Sequence, residues 1–323
     1  MLKVTVGITT YNLEKYIEKA IDSILCQKTN FEFKIVIADD GSTDGTVNIL
    51  KKYAEKYPEK IEIMLSSKNL GSLANSNRIF EKIDGEYISF LDGDDYWIRN
   101  DRLQKQVDYL DNHPECCICA GNTQYLIEGE TKETVVKPQK TGVTYSFDDY
   151  LKGKVPFFHT SSILLRNVIF KNGLPECYKN AVGTFEECAL RGEDFRRILH
   201  LEQGNAYIMR EVVSVYRIHD KGIWQGSTEI RRALESAIST NFYYKYYGEK
   251  YGDFFSKSAK KSYQNLILTL LTDQQFGQAY FLCPRDNQLF VELLNDLSKH
   301  NTCEHKQKVN KWYRRILRKI LEV

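Results

Sequence analysis

The sequence predicts an α/β fold: a mostly parallel sheet flanked by helices, followed by a helical C-terminal extension. Three observations carry that prediction. Short apolar runs alternate with helix-period segments over the first 120 residues, and such βα repetition builds parallel sheets covered on both faces. Polar and acidic clusters stand at the ends of the apolar runs, where sheets of this kind bind ligands. After Thr228 the pattern turns helical and aromatic, as in Asn241-Phe242-Tyr243-Tyr244-Lys245-Tyr246-Tyr247.

Each element has its own signal. Val4 to Thr9 reads as a short buried strand. Asn12 is expected to cap a helix in which Leu13, Tyr16, Ile17, Ala20, Ile21, Ile24 and Leu25 recur at helical spacing. Phe33 to Ala38 is a second strand, ended by the turn residues Asp39-Asp40-Gly41-Ser42. Asp44 caps the next helix, with Val47, Leu50 and Tyr53 on its apolar face. Ile61 to Leu65 is a third strand, Gly71 to Ile83 a third helix, and Tyr87 to Leu91 a fourth strand. Further strands are expected at Ser161 to Arg166 and Ala206 to Tyr216. A helix is expected from Arg191-Gly192-Glu193-Asp194 through Leu199. This organisation divides the chain into a domain over 1–227, with halves of about 1–115 and 116–227, and a helical region over 228–323.

Composition excludes several classes. A net charge of +2 gives no global attraction to nucleic acid. Among the eight cysteines, Cys116-Cys117-Ile118-Cys119 lies in an apolar run that suits buried, strand-borne thiols. Met1 to Val6 enters a strand pattern without signal-peptide character, and no apolar stretch approaches the about 20 residues that span a bilayer. A cytoplasmic protein with reduced cysteines is the expectation.

Asp92-Gly93-Asp94-Asp95 sets three carboxylates at the end of a strand. Like charges repel unless a cation or donors offset them, and hard oxygens suit Mg²⁺ or Mn²⁺ bridging to phosphates. A solvated acidic turn is the plainer alternative. Calcium loops fail on register: Tyr96 and Trp97 stand where a carboxylate and a glycine are needed after Asp92, and Lys51 stands where a loop from Asp40 needs its closing Glu. The phosphate-binding P-loop and G-x-G-x-x-G fingerprints are absent. Asp39 or Asp40 is a candidate acceptor for a hydrogen bond from a base or ribose.

Thr9-Thr10-Tyr11-Asn12, Asp39 to Thr46, Asn69-Leu70-Gly71 and Phe90 to Trp97, in that order, resemble the successive signatures of family 2 glycosyltransferases with the GT-A fold. Gly192-Glu193-Asp194 and Tyr216-Arg217-Ile218-His219 resemble that family's later Glu-Asp and Tyr-Arg-x-His segments, so the resemblance covers residues 1 to about 220. It implies that Thr9, Tyr11 and Asp40 or Asp39 hold a nucleotide, commonly uridine. It implies that Asp92 contacts ribose or metal, and that Asp94 binds the divalent cation (Mn²⁺ or Mg²⁺) on the diphosphate. Arg99-Asn100-Asp101 sits one residue farther from Trp97 than usual, which keeps Asp95 as the other candidate ligand. His219 is either a further ligand near the diphosphate or a structural residue.

The expected reaction is inverting transfer of a sugar from a nucleotide-sugar donor to a saccharide or lipid-linked glycan in surface polysaccharide synthesis. Asp194 is the candidate general base, with Glu193 binding acceptor or orienting the site. The bland alternative for this pair is an acidic first helical turn, favoured by the macrodipole. A nucleotidyltransferase shares the sheet and metal but needs a glycine-rich basic loop that Thr9 to Asn12 does not supply. An idle carbohydrate-binding or scaffold module is the third class. At the C-terminus, Val309, Trp312, Tyr313, Ile316, Leu317, Ile320 and Leu321 recur at helical spacing among seven basic residues between Lys306 and Lys319. Such a helix suits either an anionic membrane surface at the inner face of the plasma membrane or packing on its own domain or on a second subunit of a homodimer.

Overall fold

The computed structural model describes residues 2–127, 129–219 and 227–272. The expected basic helix at the C-terminus, with its residues Val309 to Leu321, lies outside the described residues. The chain divides into two compact units, the first ending at Gly226 and the second beginning at Ser227.

The first unit opens with β1 (Val4–Thr10), α1 (Ile17–Leu25), β2 (Phe33–Asp39), α2 (Thr46–Lys56), β3 (Ile61–Leu65), α3 (Ser72–Phe80) and β4 (Tyr87–Asp92). Burial follows the pattern of the sequence. In α1, Ile17, Ala20, Ile21 and Ile24 repeat at helical spacing and are fully buried against Val4, Val6 and Ile8 of β1. Then come β5 (Tyr96–Trp97), α4 (Arg102–Asn112), β6 (Cys116–Ile127), β7 (Glu130–Thr134), β8 (Val143–Tyr145), α5 (Phe147–Leu151), β9 (Ile163–Arg166), α6 (Glu176–Ala181), α7 (Glu187–Leu190), α8 (Glu193–Gln203) and β10 (Asn205–Ile218).

The ten strands among the described residues form one sheet, ordered β3-β2-β1-β4-β9-β6-β10-β5, with β7 beside β6 and β8 beside β10. The pairings β3/β2, β2/β1, β1/β4 and β6/β10 are parallel, whereas β9 runs antiparallel between β4 and β6. The long strands β1, β2, β4, β6 and β10 therefore point the same way, and their carboxyl ends share one edge. Cys116, Cys117 and Cys119 are buried thiols on β6, as their apolar run predicts.

Two local expectations are corrected. Asn12 does not cap α1, which begins at Ile17 with Tyr16 before it. Instead Asn12 adopts φ +54°, its backbone N–H donates to Ser42 Oγ, and its side-chain oxygen accepts from the Thr43 N–H at 2.8 Å. Asn tolerates this left-handed conformation better than most residues, and the bonds join the loop after β1 to the loop after β2. The third helix is shorter than expected at both ends, because Gly71 at φ +93° stands outside it and Phe80 ends it.

In the second unit, α9 (Glu229–Thr272) is broken at Tyr251, whose φ of −135° and ψ of 35° are not helical. The two arms fold back on each other. Phe255 stacks on Tyr247 at 4.9 Å, and the Ser236 and Ser262 hydroxyls meet at 3.4 Å. Among the described residues, no helix is long and apolar enough to cross a membrane.

Candidate active site

The first side of the site is the shared edge of β1 and β2. Thr9 is the penultimate residue of β1, and its hydroxyl reaches Asp92 Oδ1 on β4 at 3.5 Å. Tyr11 follows with 46% of its surface exposed. Asp39 is fully buried and built into the turn: it accepts from the Gly41 and Ser42 N–H groups and from the Ser42 hydroxyl. Asp40 accepts from the N–H groups of Leu70 at 2.7 Å and Gly71 at 3.2 Å, tying the Asn69-Leu70-Gly71 loop to β2. Desolvation raises the Asp40 carboxyl despite those donors. Gly41 is required here, since at φ +78° any Cβ would lie 2.6 Å from the Lys68 carbonyl carbon.

The acidic run forms a tight turn at the end of β4, with Asp95 N–H donating to Asp92 O and Gly93 N–H to Thr9 O. Its three carboxylates meet different fates. The Asp92 carboxyl is pushed up to about 7, first by desolvation and then by Asp94 and Glu193, with Arg196 opposing. Asp94 remains partly exposed, and its Oδ2 lies 3.1 Å from His219 Nε2. Asp95 is fully buried: Oδ1 accepts from the Arg217 N–H at 2.9 Å, while Oδ2 has no hydrogen-bond partner and lies 3.6 Å from His159 Nδ1. Burial, then Asp94 and Asp92, raise its carboxyl well above the usual range.

The tail of β10 closes around this turn. The Arg217 guanidinium donates to the Asp94 carbonyl and lies over the Tyr96 and Tyr16 rings, while His219 stacks on Tyr16 at 5.0 Å. His159, just before β9, stacks on Tyr216 at 4.2 Å. Behind it the Ser161, Ser214 and Thr123 hydroxyls form a buried chain. Two carboxylate–imidazole pairs thus flank Asp92: an outer one, Asp94 with His219, and an inner one, Asp95 with His159. Among the described residues, Asp92, Asp95 and His159 form a group whose ligand atoms all lie within 4.8 Å of one another. Crowded carboxylates and an unpartnered buried carboxylate oxygen fit a divalent cation, and oxygen with imidazole donors suits Mn²⁺ better than Mg²⁺.

The third side is the N-terminus of α8. Glu193 and Asp194 occupy its first turn, where the helix dipole favours negative charge. Glu193 Oε2 accepts from Thr160 Oγ1 at 2.9 Å. Asp194 keeps 55% of its side chain exposed, and its Oδ1 accepts from Arg197 Nη2 at 2.6 Å. Desolvation, with Glu193 beside it, raises the Asp194 carboxyl against the pull of Arg197.

The structure brings Thr9, Asp92, Asp94, Glu193 and His219 to one region, and seats Asp39 and Asp40 in the wall beside it. Sequence reasoning did not single out His159, Thr160, Arg196 or Arg197. The polar run His159 to Ser162 directly before an apolar strand was the available signal for the first two. The arginines carried none, because their partners come from other elements.

A family model described as Glycosyl transferase family 2 matches residues 5–174. An uncharacterised protein of Mycobacterium tuberculosis is 32% identical over 223 residues, 69% of this chain and 61% of the relative. A putative teichuronic acid biosynthesis glycosyltransferase of Bacillus subtilis is 33% identical over 153 residues, 47% of this chain and 58% of the relative. The chain therefore spans about three fifths of the length of these relatives. Among solved structures, S. aureus TarS 1–349 in complex with UDP-GlcNAc superposes with a TM-score of 0.57 at 16% identity, covering 99% of this chain and 89% of that one. The mannosyltransferase PcManGT of Pyrobaculum calidifontis, in complex with GDP-Man and Mn²⁺, gives 0.52 at 17% identity over 98% and 85%. At such identities these likenesses establish the fold, which is the expected GT-A arrangement.

Proposed function

The chain belongs to glycosyl transferase family 2, and on that premise we propose that it is an inverting, metal-dependent glycosyltransferase acting on a UDP-sugar. Its acceptor in this reading is a saccharide or lipid-linked glycan of a surface polysaccharide, and its catalytic domain is residues 1–227. One observation carries the reading most: three mutually repelling carboxylates at the end of β4 stand among strand ends that also offer Thr9 and Asp40, and beside Glu193 in the first turn of α8. The teichuronic acid relative and the nucleotide-sugar complexes of the two similar folds support the substrate class.

In this mechanism Tyr11, Asp40 and the wall around Asp39 receive the nucleotide, and Thr9 orients Asp92 toward ribose or metal. Asp92 and Asp94, with His219, hold the cation. We favour this outer set over Asp95 and His159 because the donor's diphosphate arrives from solvent and Asp95 is wholly enclosed. When bound, the cation supplies Lewis-acid stabilisation of the leaving diphosphate. Asp194 takes the proton of the acceptor hydroxyl as that oxygen attacks the anomeric carbon and the bond to the diphosphate breaks on the opposite face. A single displacement inverts the anomeric configuration.

Calorimetry with UDP, with and without Mn²⁺, tests the reading. Tighter binding with Mn²⁺ is expected, and failure to bind UDP, GDP or dTDP under either condition refutes it. Hydrolysis of a panel of UDP-, GDP- and dTDP-sugars then identifies the donor.

A further inference from the structure

We propose that Arg197 is the positioning residue of Asp194: it fixes Oδ1 of that carboxylate and so leaves Oδ2 to receive the acceptor's proton. The inference rests on the assignment of Asp194 as base.

Several observations converge. Arg197 lies one turn after Asp194 on α8, and its Nη2 donates to Asp194 Oδ1 at 2.6 Å, the short length of a charge-assisted bond. The guanidinium is itself held. Its centre lies 5.8 Å from the Phe157 ring and 5.2 Å from the Phe158 ring, and only 12% of the side chain is exposed. Among the described residues its Nε and Nη1 find no hydrogen-bond partner. A buried arginine with one polar partner is not there for solubility, and its single bond to a carboxylate that is itself largely exposed defines that carboxylate's rotamer. The aromatic residues come from the segment before β9, so the base is aligned from outside its own helix.

Other charges near Asp194 are few. Glu193 opposes its ionisation, Arg196 and Arg197 favour it, and Tyr150 of α5 faces the pair. Removing Arg197 takes away the nearest positive charge, so the Asp194 titration must move to higher pH.

The test uses the full chain labelled with ¹³C at aspartate carboxyls, with the Asp194 resonance assigned by its loss in Asp194→Asn. In Arg197→Met the midpoint should rise by about one pH unit or more, and Arg197→Lys should recover part of the shift. Phe157→Ala, which keeps the charge but loosens its support, should give a smaller rise. An unmoved midpoint in folded Arg197→Met, with UDP affinity intact, overturns the proposal. Should Arg197→Met not fold, an unmoved midpoint in both Arg197→Lys and Phe157→Ala overturns it. The base assignment fails separately: Asp194→Asn should slow transfer about a hundredfold or more with UDP affinity unchanged, and full activity in that variant refutes the base while leaving the titration result to stand.

Discussion

Asp94 and Asp95 are chemically identical neighbours, and their surroundings separate them. Asp94 is partly exposed and faces His219, whereas Asp95 is enclosed and spends one oxygen on the Arg217 backbone. Asp94→Ala should therefore weaken Mn²⁺ binding at least about tenfold, near 1.4 kcal/mol, by titration calorimetry. Asp95→Asn keeps an acceptor for the Arg217 N–H and should alter Mn²⁺ affinity by less than about threefold. The reverse pattern, together with loss of metal in His159→Ala, would move the cation to the inner group of Asp92, Asp95 and His159. Asp39 shows a different division of labour. Its carboxylate is consumed by the Gly41–Ser42 turn, so Asp39→Ala should lower stability as well as nucleotide affinity, by about 1–3 kcal/mol for the donors left unpaired, measured by denaturant titration.

At the scale of elements, α8 does two jobs. Its first turn faces the site, and its later turns are core: Phe195, Ile198, Leu199 and His200 are buried. His200 is wholly enclosed, with Nδ1 against Arg196 O at 2.6 Å, and burial depresses its imidazole to about 4. The depressed value sets the direction of the pH effect. Between the unfolded value near 6.5 and the folded value of about 4, the unfolded chain binds the extra proton. Stability is therefore lost as pH falls through that window, by an amount on the order of 3 kcal/mol. Chemical denaturation at pH 7 and pH 4.5 should show a smaller difference between the two pH values in His200→Gln than in the parent. An equal difference would assign the acid sensitivity to other groups. The loops after β1 and β2 behave as one element for a related reason: Asn12, Ser42, Thr43, Asp44, Glu14 and Thr46 exchange hydrogen bonds across them.

At the scale of the whole molecule, one sheet carries both halves of the proposed chemistry. In that proposal the strands β3-β2-β1-β4 would form the nucleotide side, and β9-β6-β10 with α8 the acceptor side. Binding to the native state alone stabilises it, so UDP with Mn²⁺ at about a hundred times its dissociation constant should add about 2.7 kcal/mol, read as a raised melting temperature. The basic segment after Cys303 bears on where the molecule works. If it seats on anionic lipid, full-length protein should bind phosphatidylserine vesicles in low salt and release in high salt, and truncation after Cys303 should abolish binding. Absence of binding at low salt would leave packing within the chain or between subunits. The sequence by itself determined the βα rhythm, the buried faces of α1 and α8, the thiols of β6 and the seating of Asp39, Asp40 and Asp92 to Asp95 at strand ends. Those features follow from periodicity and local turn chemistry, which neighbouring residues settle among themselves. Only the tertiary structure decided that β9 runs antiparallel between β4 and β6. That reversal brings His159 and Thr160 beside Asp95 and Glu193, while the antiparallel pairing of β5 with β10 sets Asp94 against His219 across more than a hundred residues, and Arg197 lies near two phenylalanines of a distant segment. No local pattern encodes such pairings, because the electrostatics of a carboxylate depend on which charges and how much water the folded chain leaves around it.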